Sequence, residues 1–70
     1  MNIAAGLAEQ VRARRASLTL GQEEVAELSG TSVRFIRNLE QGKQTVRLDK
    51  VQAVLDVLGL ELTVRLRSSQ

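Results

Sequence analysis

Arg34, Arg37, Asn38 and Gln41 are the residues of this chain best suited to recognising another molecule through hydrogen bonds. Advanced at about 100° per residue with Ile36 at zero, they share roughly a third of a helix's circle, opposite Ile36. Leu39 and Ser32 fall on the Ile36 side, and Phe35 lies between the two faces. A guanidinium can donate twice to guanine O6 and N7, and a carboxamide can bond adenine N6 and N7 in the same two-point manner. The chemistry this face offers is readout of base edges in a duplex groove. The competing reading is ordinary solvated surface, which more typically mixes Glu with Lys.

Other chemistry is poorly provided for. The 70 residues include no His, Cys, Tyr, Trp or Pro, and Asp49 and Asp56 are the only aspartates. That removes the usual general base, the commonest metal ligand, thiolate chemistry and disulfides, so neither catalysis, a cofactor nor a metal site is expected. The length suits one domain with a small core, and self-association would supply further burial. Net charge is only +2, but its signs are clustered. Arg12, Arg14 and Arg15 form one basic group. Arg34, Arg37, Lys43 and Arg47 form another, opposed by Glu40 alone, while acids gather at Glu23, Glu24 and Glu27. Local basic surface fits nucleic-acid contact, although charge alone favours the reading of ordinary solvated faces. No leader pattern opens the chain and no apolar run approaches the ~18 residues of a membrane span. A cytoplasmic location without membrane contact is expected.

The elements that must position this face are helices. Periodic apolar residues and glycine punctuation predict helices at about 3–16, 22–28, 33–41 and 48–58, an all-α domain over residues 1–59. Asn2, Gly21 and Ser32 are the expected N-caps of the first three, and Arg47 is a poor cap for the fourth. Glu24 can reach back to the Gly21 N–H. Leu7, Val11 and Leu18 mark the inner side of the first helix, and Val25, Ala26 and Leu28 that of the second. Ala26 allows close crossing, Gly30 allows the turn, and Ile36 and Leu39 pin the third helix. This spacing suits a DNA-reading helix-turn-helix, though a plain helical bundle shares it. Gln22 and Ser32 sit beside helix N-termini whose free N–H groups suit phosphate. Lys43, Gln44, Thr45 and Arg47 can touch the backbone beyond the third helix.

The fourth helix is apolar over more than one stripe. Leu48, Val51, Leu55 and Leu58 form its expected core face, and Val54 and Val57 extend it towards a subunit boundary. A thick monomer core is the alternative. From residue 60 to 67 the period becomes two: Leu60, Leu62, Val64 and Leu66 alternate with Glu61, Thr63, Arg65 and Arg67. This predicts a half-buried strand, and with no second strand pattern in the chain its partner is expected to be the same strand of another subunit. A frayed end is the competing reading. Residues 68–70 are expected to be disordered.

Gln22 through Ser32, Ile36, and Leu39-Glu40-Gln41-Gly42-Lys43 resemble the Cro/repressor, or XRE-type, helix-turn-helix family over about residues 7–60. The resemblance implies a lambda-repressor-like four-helix fold. It implies base contacts at Ser32, Val33, Arg34 and Asn38, a phosphate contact at Gln22, and a structural Arg15–Glu40 pair. Gly21 and Arg47 depart from the family pattern, at capping positions. Residues 45–51 and 55–62 further resemble HipB-type antitoxins of toxin–antitoxin operons. That likeness implies a homodimer joined through a short final strand, a HipA-type kinase toxin as partner, and repression of its own operon at a palindromic double-stranded DNA site. The alternative function is a protein-interaction module that neutralises or scaffolds a partner without binding DNA.

Overall fold

None of these helices is long enough to persist in water alone, so caps and buried faces define each of them. The computed structural model describes residues 3–66. It comprises α1 (Ile3–Ser17), α2 (Gln22–Ser29), α3 (Val33–Glu40) and α4 (Leu48–Leu58), with no strand among the described residues. The Asn2 cap, Arg67 and the tail 68–70 lie outside that range. α1 and α2 each pack against both α3 and α4. The core where they meet holds Val11, Val25, Ala26, Ile36, Leu39, Val51, Val54, Leu55 and Leu58. No described helix is long and apolar enough to cross a membrane.

Local chemistry sets the ends. The Gly21 N–H donates to Glu24 Oε1 at 2.8 Å, closing the first turn of α2. Gly30 ends that helix at φ 70°, with Thr31 N–H reaching the Ala26 carbonyl at 2.9 Å. Ser32 Oγ then accepts from the Phe35 N–H at 3.0 Å and starts α3 two residues later. Gly42, at φ 82°, closes α3 by letting the Lys43 N–H bond the Asn38 carbonyl at 3.0 Å. α1 ends without glycine. Thr19 takes the left-handed conformation at φ 55°, a costly one for a β-branched residue, and turns the chain towards α2.

Several expected core positions are outside. Leu18 lies beyond the end of α1 and is exposed. Leu28 and Leu48 are 63% and 65% exposed, because α2 and α4 turn Val25, Ala26 and Val51 inward at those levels instead. The reverse holds for Val54. It is fully buried within its own chain, so it offers no surface to a second copy. Val57 and Leu60 also pack against the same core, each half-buried. The strand expected from residue 60 is not formed within the chain, since no other segment of it supplies a ladder. Arg47 is the N-cap of α4 but makes no side-chain cap bond. Asp49 Oδ1 instead accepts the Lys50 N–H at 3.0 Å.

Truncation should separate the two kinds of leucine-like position. Ile36→Ala is expected to cost about 2–5 kcal/mol, against a total of roughly 4–10 kcal/mol for a domain of this size. Leu28→Ala is expected to stay within about 0.5 kcal/mol of the parent. Urea unfolding measures both, and equal losses would contradict the assigned core.

Candidate nucleic-acid interface

The buried side of α3 is held by two aliphatic groups and one charge. Ile36 and Leu39 fill the core, and Glu40 follows them inward with a side chain 4% exposed. A carboxylate so placed must be paired and hydrogen-bonded to persist. Arg15 supplies a two-point pair, Nε to Oε2 at 2.6 Å and Nη2 to Oε1 at 2.8 Å. Gln22 Nε2 adds a bond to Oε1 at 3.2 Å. Arg15 Nη1 donates to the Leu20 carbonyl at 2.9 Å, and Arg12 donates to the main-chain carbonyl of Glu40. One acidic side chain thus ties α1, the start of α2 and the end of α3 together. Burial by itself pushes the Glu40 carboxyl up, but the bonds from Arg15 and Gln22 and the nearby guanidinium charges outweigh it and hold it below its ordinary range. The same hydrogen bond, with Glu40's charge, holds Arg15 above its own ordinary value despite burial.

With that side fixed, the opposite side of α3 faces water. Arg34, Arg37 and Gln41 are exposed and Asn38 is half-buried. Ser32 is exposed, but its hydroxyl is engaged as the helix cap. Val33 and Phe35 lean against the core. Two depressions flank the helix. The first brings Gln22, Val33 and Arg37 together with Arg15, and with the acids Glu23 and Glu24, at the start of α2. The second brings Asn38, Lys43, Thr45 and Arg47 together with Phe35 and Lys50 beside the start of α4. Gln44 is exposed on the connecting loop. No three His, Cys, Asp or Glu side chains among the described residues come together as a metal would require.

The helix-turn-helix family model HTH_3 matches residues 11–64, which takes in the second half of α1, all of α2, α3 and α4, and the start of the tail. The chain belongs to that family, the XRE type of helix-turn-helix. It is also 41% identical over 54 residues to the uncharacterised HTH-type transcriptional regulator y4mF of Sinorhizobium fredii (strain NBRC 101917 / NGR234), covering 77% of this chain and 71% of that protein. Within the helix-turn-helix, α2 is the first helix, Gly30–Ser32 the turn, and α3 the second helix.

Two basic groups read from the sequence behave differently in this helix-turn-helix. The α1 arginines serve the protein itself: Arg12 and Arg15 hold Glu40, and Arg14 Nε donates to the Leu58 carbonyl at the end of α4 at 2.8 Å. The cations around α3 stay outward, but Arg47 is not free. Its fork holds Asp49, Nε to Oδ1 at 3.1 Å and Nη2 to Oδ2 at 2.7 Å. That bond is the main reason the Asp49 carboxyl sits below its ordinary range. Sequence reasoning passed over Lys50. Its Nζ lies 5.8 Å from the Phe35 ring centroid, in the same recess as Lys43 and Arg47. Its position three residues after Arg47 on α4 was the available signal.

The Glu40 tie has a measurable signature. Glu40→Ala leaves Arg15 without its partner and is expected to cost near the lower end of about 3–5 kcal/mol, since Arg15 keeps some contact with water. Because folding lowers the Glu40 pKa, its contribution is complete above its ordinary value of 4.5 and is lost as pH falls through the lower folded value. Thermal melts below pH 4.5 should therefore fall less steeply for Glu40→Gln than for the parent. Identical acid limbs would show that the pair does not operate.

Proposed function

We propose that this chain is a sequence-specific DNA-binding transcriptional repressor that works as a homodimer on a palindromic operator. The observation that carries the reading is the division of α3. Ile36, Leu39 and Glu40 lock one side, while Arg34, Arg37, Asn38 and Gln41 stand on the other, the residue types suited to major-groove edges. Ser32 and Val33, at the N-terminal end of α3, complete the base-facing set. Gln22 on one flank, and Lys43, Gln44, Thr45 and Arg47 on the other, are the phosphate contacts that fix register. Lys50 joins them, because it opens into the same recess as Lys43. Two recognition helices in a dimer would address half-sites about 34 Å apart, or a multiple of that.

The dimer reading draws on the tail, where Leu62, Val64 and Leu66 leave apolar surface exposed in a single copy. A finer role follows from the likeness of residues 45–51 and 55–62 to HipB-type antitoxins: the repressor would regulate its own operon and bind a HipA-type kinase toxin. The relative in Sinorhizobium fredii, described as an HTH-type transcriptional regulator, agrees with the coarser part of this reading.

A gel-shift assay on the DNA upstream of its own gene tests it. The parent should bind with steep salt dependence. Arg34→Ala should lose about 1–3 kcal/mol and relax preference at one base pair. Lys43→Ala should weaken all duplexes alike and reduce the log–log salt slope by about 0.9. Asp49→Asn, by releasing the Arg47 fork, should tighten binding to all duplexes. Absence of salt-dependent binding near physiological ionic strength would favour the interaction module instead.

A further inference from the structure

Both lysines of the chain, Lys43 and Lys50, open into the recess beside the start of α4, and its one aromatic residue, Phe35, lines the same recess. Phe35 is half-buried between the two faces of α3 and packs in part against the core. Its ring carries Lys50 Nζ at 5.8 Å from the centroid, across the gap from α3 to α4. Lys43 is exposed, whereas Lys50 is half-buried. Among the described residues no carboxylate pairs with the Lys50 ammonium: the ion pairs are Arg15 with Glu40 and Arg47 with Asp49. Asp49, next in the chain, directs both carboxylate oxygens to the Arg47 fork and bonds Lys50 only through its main-chain N–H. Lys50 also lies in the first turn of α4, where the helix field disfavours a cation. The Phe35 ring is therefore what holds this ammonium in place.

We propose that Phe35 is a positioning residue for DNA binding, which holds the Lys50 ammonium over its ring and presents it, still fully charged, to a backbone phosphate. The proposal rests on the DNA-binding reading above and gives Phe35 a part in it. A lysine on its flexible four-carbon stem loses rotamer freedom when it grips a phosphate. A partner that orders the stem beforehand removes that loss. A carboxylate would order it too, but would cancel its charge, which is the arrangement Asp49 imposes on Arg47. The face of a ring attracts a cation through its quadrupole and brings no opposing charge. The ring carries no lone pair to engage the ammonium's three donors, so they stay available to phosphate oxygens.

The three cations of the recess thus stand in three different conditions. Lys43 is free and must be ordered on contact, Arg47 is ordered but neutralised, and Lys50 is both ordered and charged. A phosphate contact fixes register without reading sequence. Phe35 therefore acts on affinity for any duplex, unlike Arg34 on the outer face of the same helix. If Phe35 served packing alone, its removal would lower stability and leave the contribution of Lys50 intact.

Gel shifts on the upstream duplex and on an unrelated duplex test the proposal. Phe35→Leu, which keeps apolar packing, should weaken both alike by about threefold. It should leave the log–log salt slope unchanged, because Lys50 still reaches its phosphate. Lys50→Met should weaken both duplexes and lower the slope by about 0.9. Phe35→Leu added to Lys50→Met should cause no further loss, and Phe35→Tyr should match the parent. Equal losses from Phe35→Leu with and without Lys50, or no loss with it, overturn the proposal and leave the DNA-binding reading standing. Proton NMR of the free chain reads the positioning without DNA. The ring current should move the Lys50 Hε signals upfield of those of Lys43, and Phe35→Leu should abolish the difference. Coincident signals in the parent overturn the proposal whatever the gel shifts show. A parent that binds neither duplex overturns the DNA-binding reading and this proposal together. Circular dichroism at the assay temperature checks that each variant keeps its helices.

Discussion

A single buried carboxylate governs how this domain presents its third helix. Glu40 ends α3 on the inner side, where an unpaired charge would be too costly to keep. The bonds that satisfy it come from other elements, Arg15 from α1 and Gln22 from the first turn of α2. None of the three can move without stranding the others, and no buried side-chain polar atom among the described residues is left unsatisfied. The apolar contacts of Ile36 and Leu39 hold α3 against the core but permit sliding and rotation of similar energy. Directional bonds to Glu40 remove that freedom. Since the outer face of α3 is only as well aimed as its inner face is fixed, the pair serves orientation more than bulk stability.

The rest of the molecule supplies what eight-residue helices lack. α2 and α3 have eight residues each and would not form in isolation. Each is delimited by local bonds within three or four residues: Gly21 with Glu24, Gly30 with the end of α2, Ser32 with Phe35, and Gly42 with the end of α3. α1 and α4 then hold the pair from either side. Arg14 contributes at that level, bonding the Leu58 carbonyl at the end of α4 from the last turn of α1. The basic residues at the end of α1 thus act as internal fasteners, with the added benefit of a favourable position in the field of their own helix.

Much of this was legible in the sequence because it depends on short-range rules. Four helices, the glycine stops after α2 and α4, the Ser32 cap and the two-sided character of α3 follow from residue types a few positions apart. What escaped was whatever depends on which neighbour arrives. Leu28 and Leu48 fit a helical stripe as well as Val25 and Val51 do, and only the placement of adjacent helices leaves them outside. Val54 read as surplus apolar surface, yet α4 is covered on enough of its circumference to bury it. The turn at Thr19 carried no glycine or asparagine to announce a left-handed residue. Arg12 and Arg14 read only as members of a basic group because nothing local shows that their acceptors lie more than twenty residues away; for Arg15 the family resemblance, not the local pattern, supplied the Glu40 partner.

Charge placement explains how a chain with a net charge of only +2 can still present a strongly basic face. Glu40 is turned inward and satisfied by α1 and α2, so it subtracts little from the field outside. Two of the α2 acids, Glu23 and Glu24, lie in that helix's first turn, where they offset its positive end. Around α3 this leaves Arg34, Arg37, Lys43 and Lys50 outward; Glu23 and Glu24 share the recess beside Arg37, and Asp49, on the other flank, is committed to Arg47. A polyanion approaching α3 meets local charge rather than the molecular sum, because solvent ions screen beyond about 8–10 Å. Net charge is therefore the wrong measure of this domain's affinity for a duplex. The arginine and lysine groups left without an internal acceptor are the relevant count, and the fold determines that count by consuming the others.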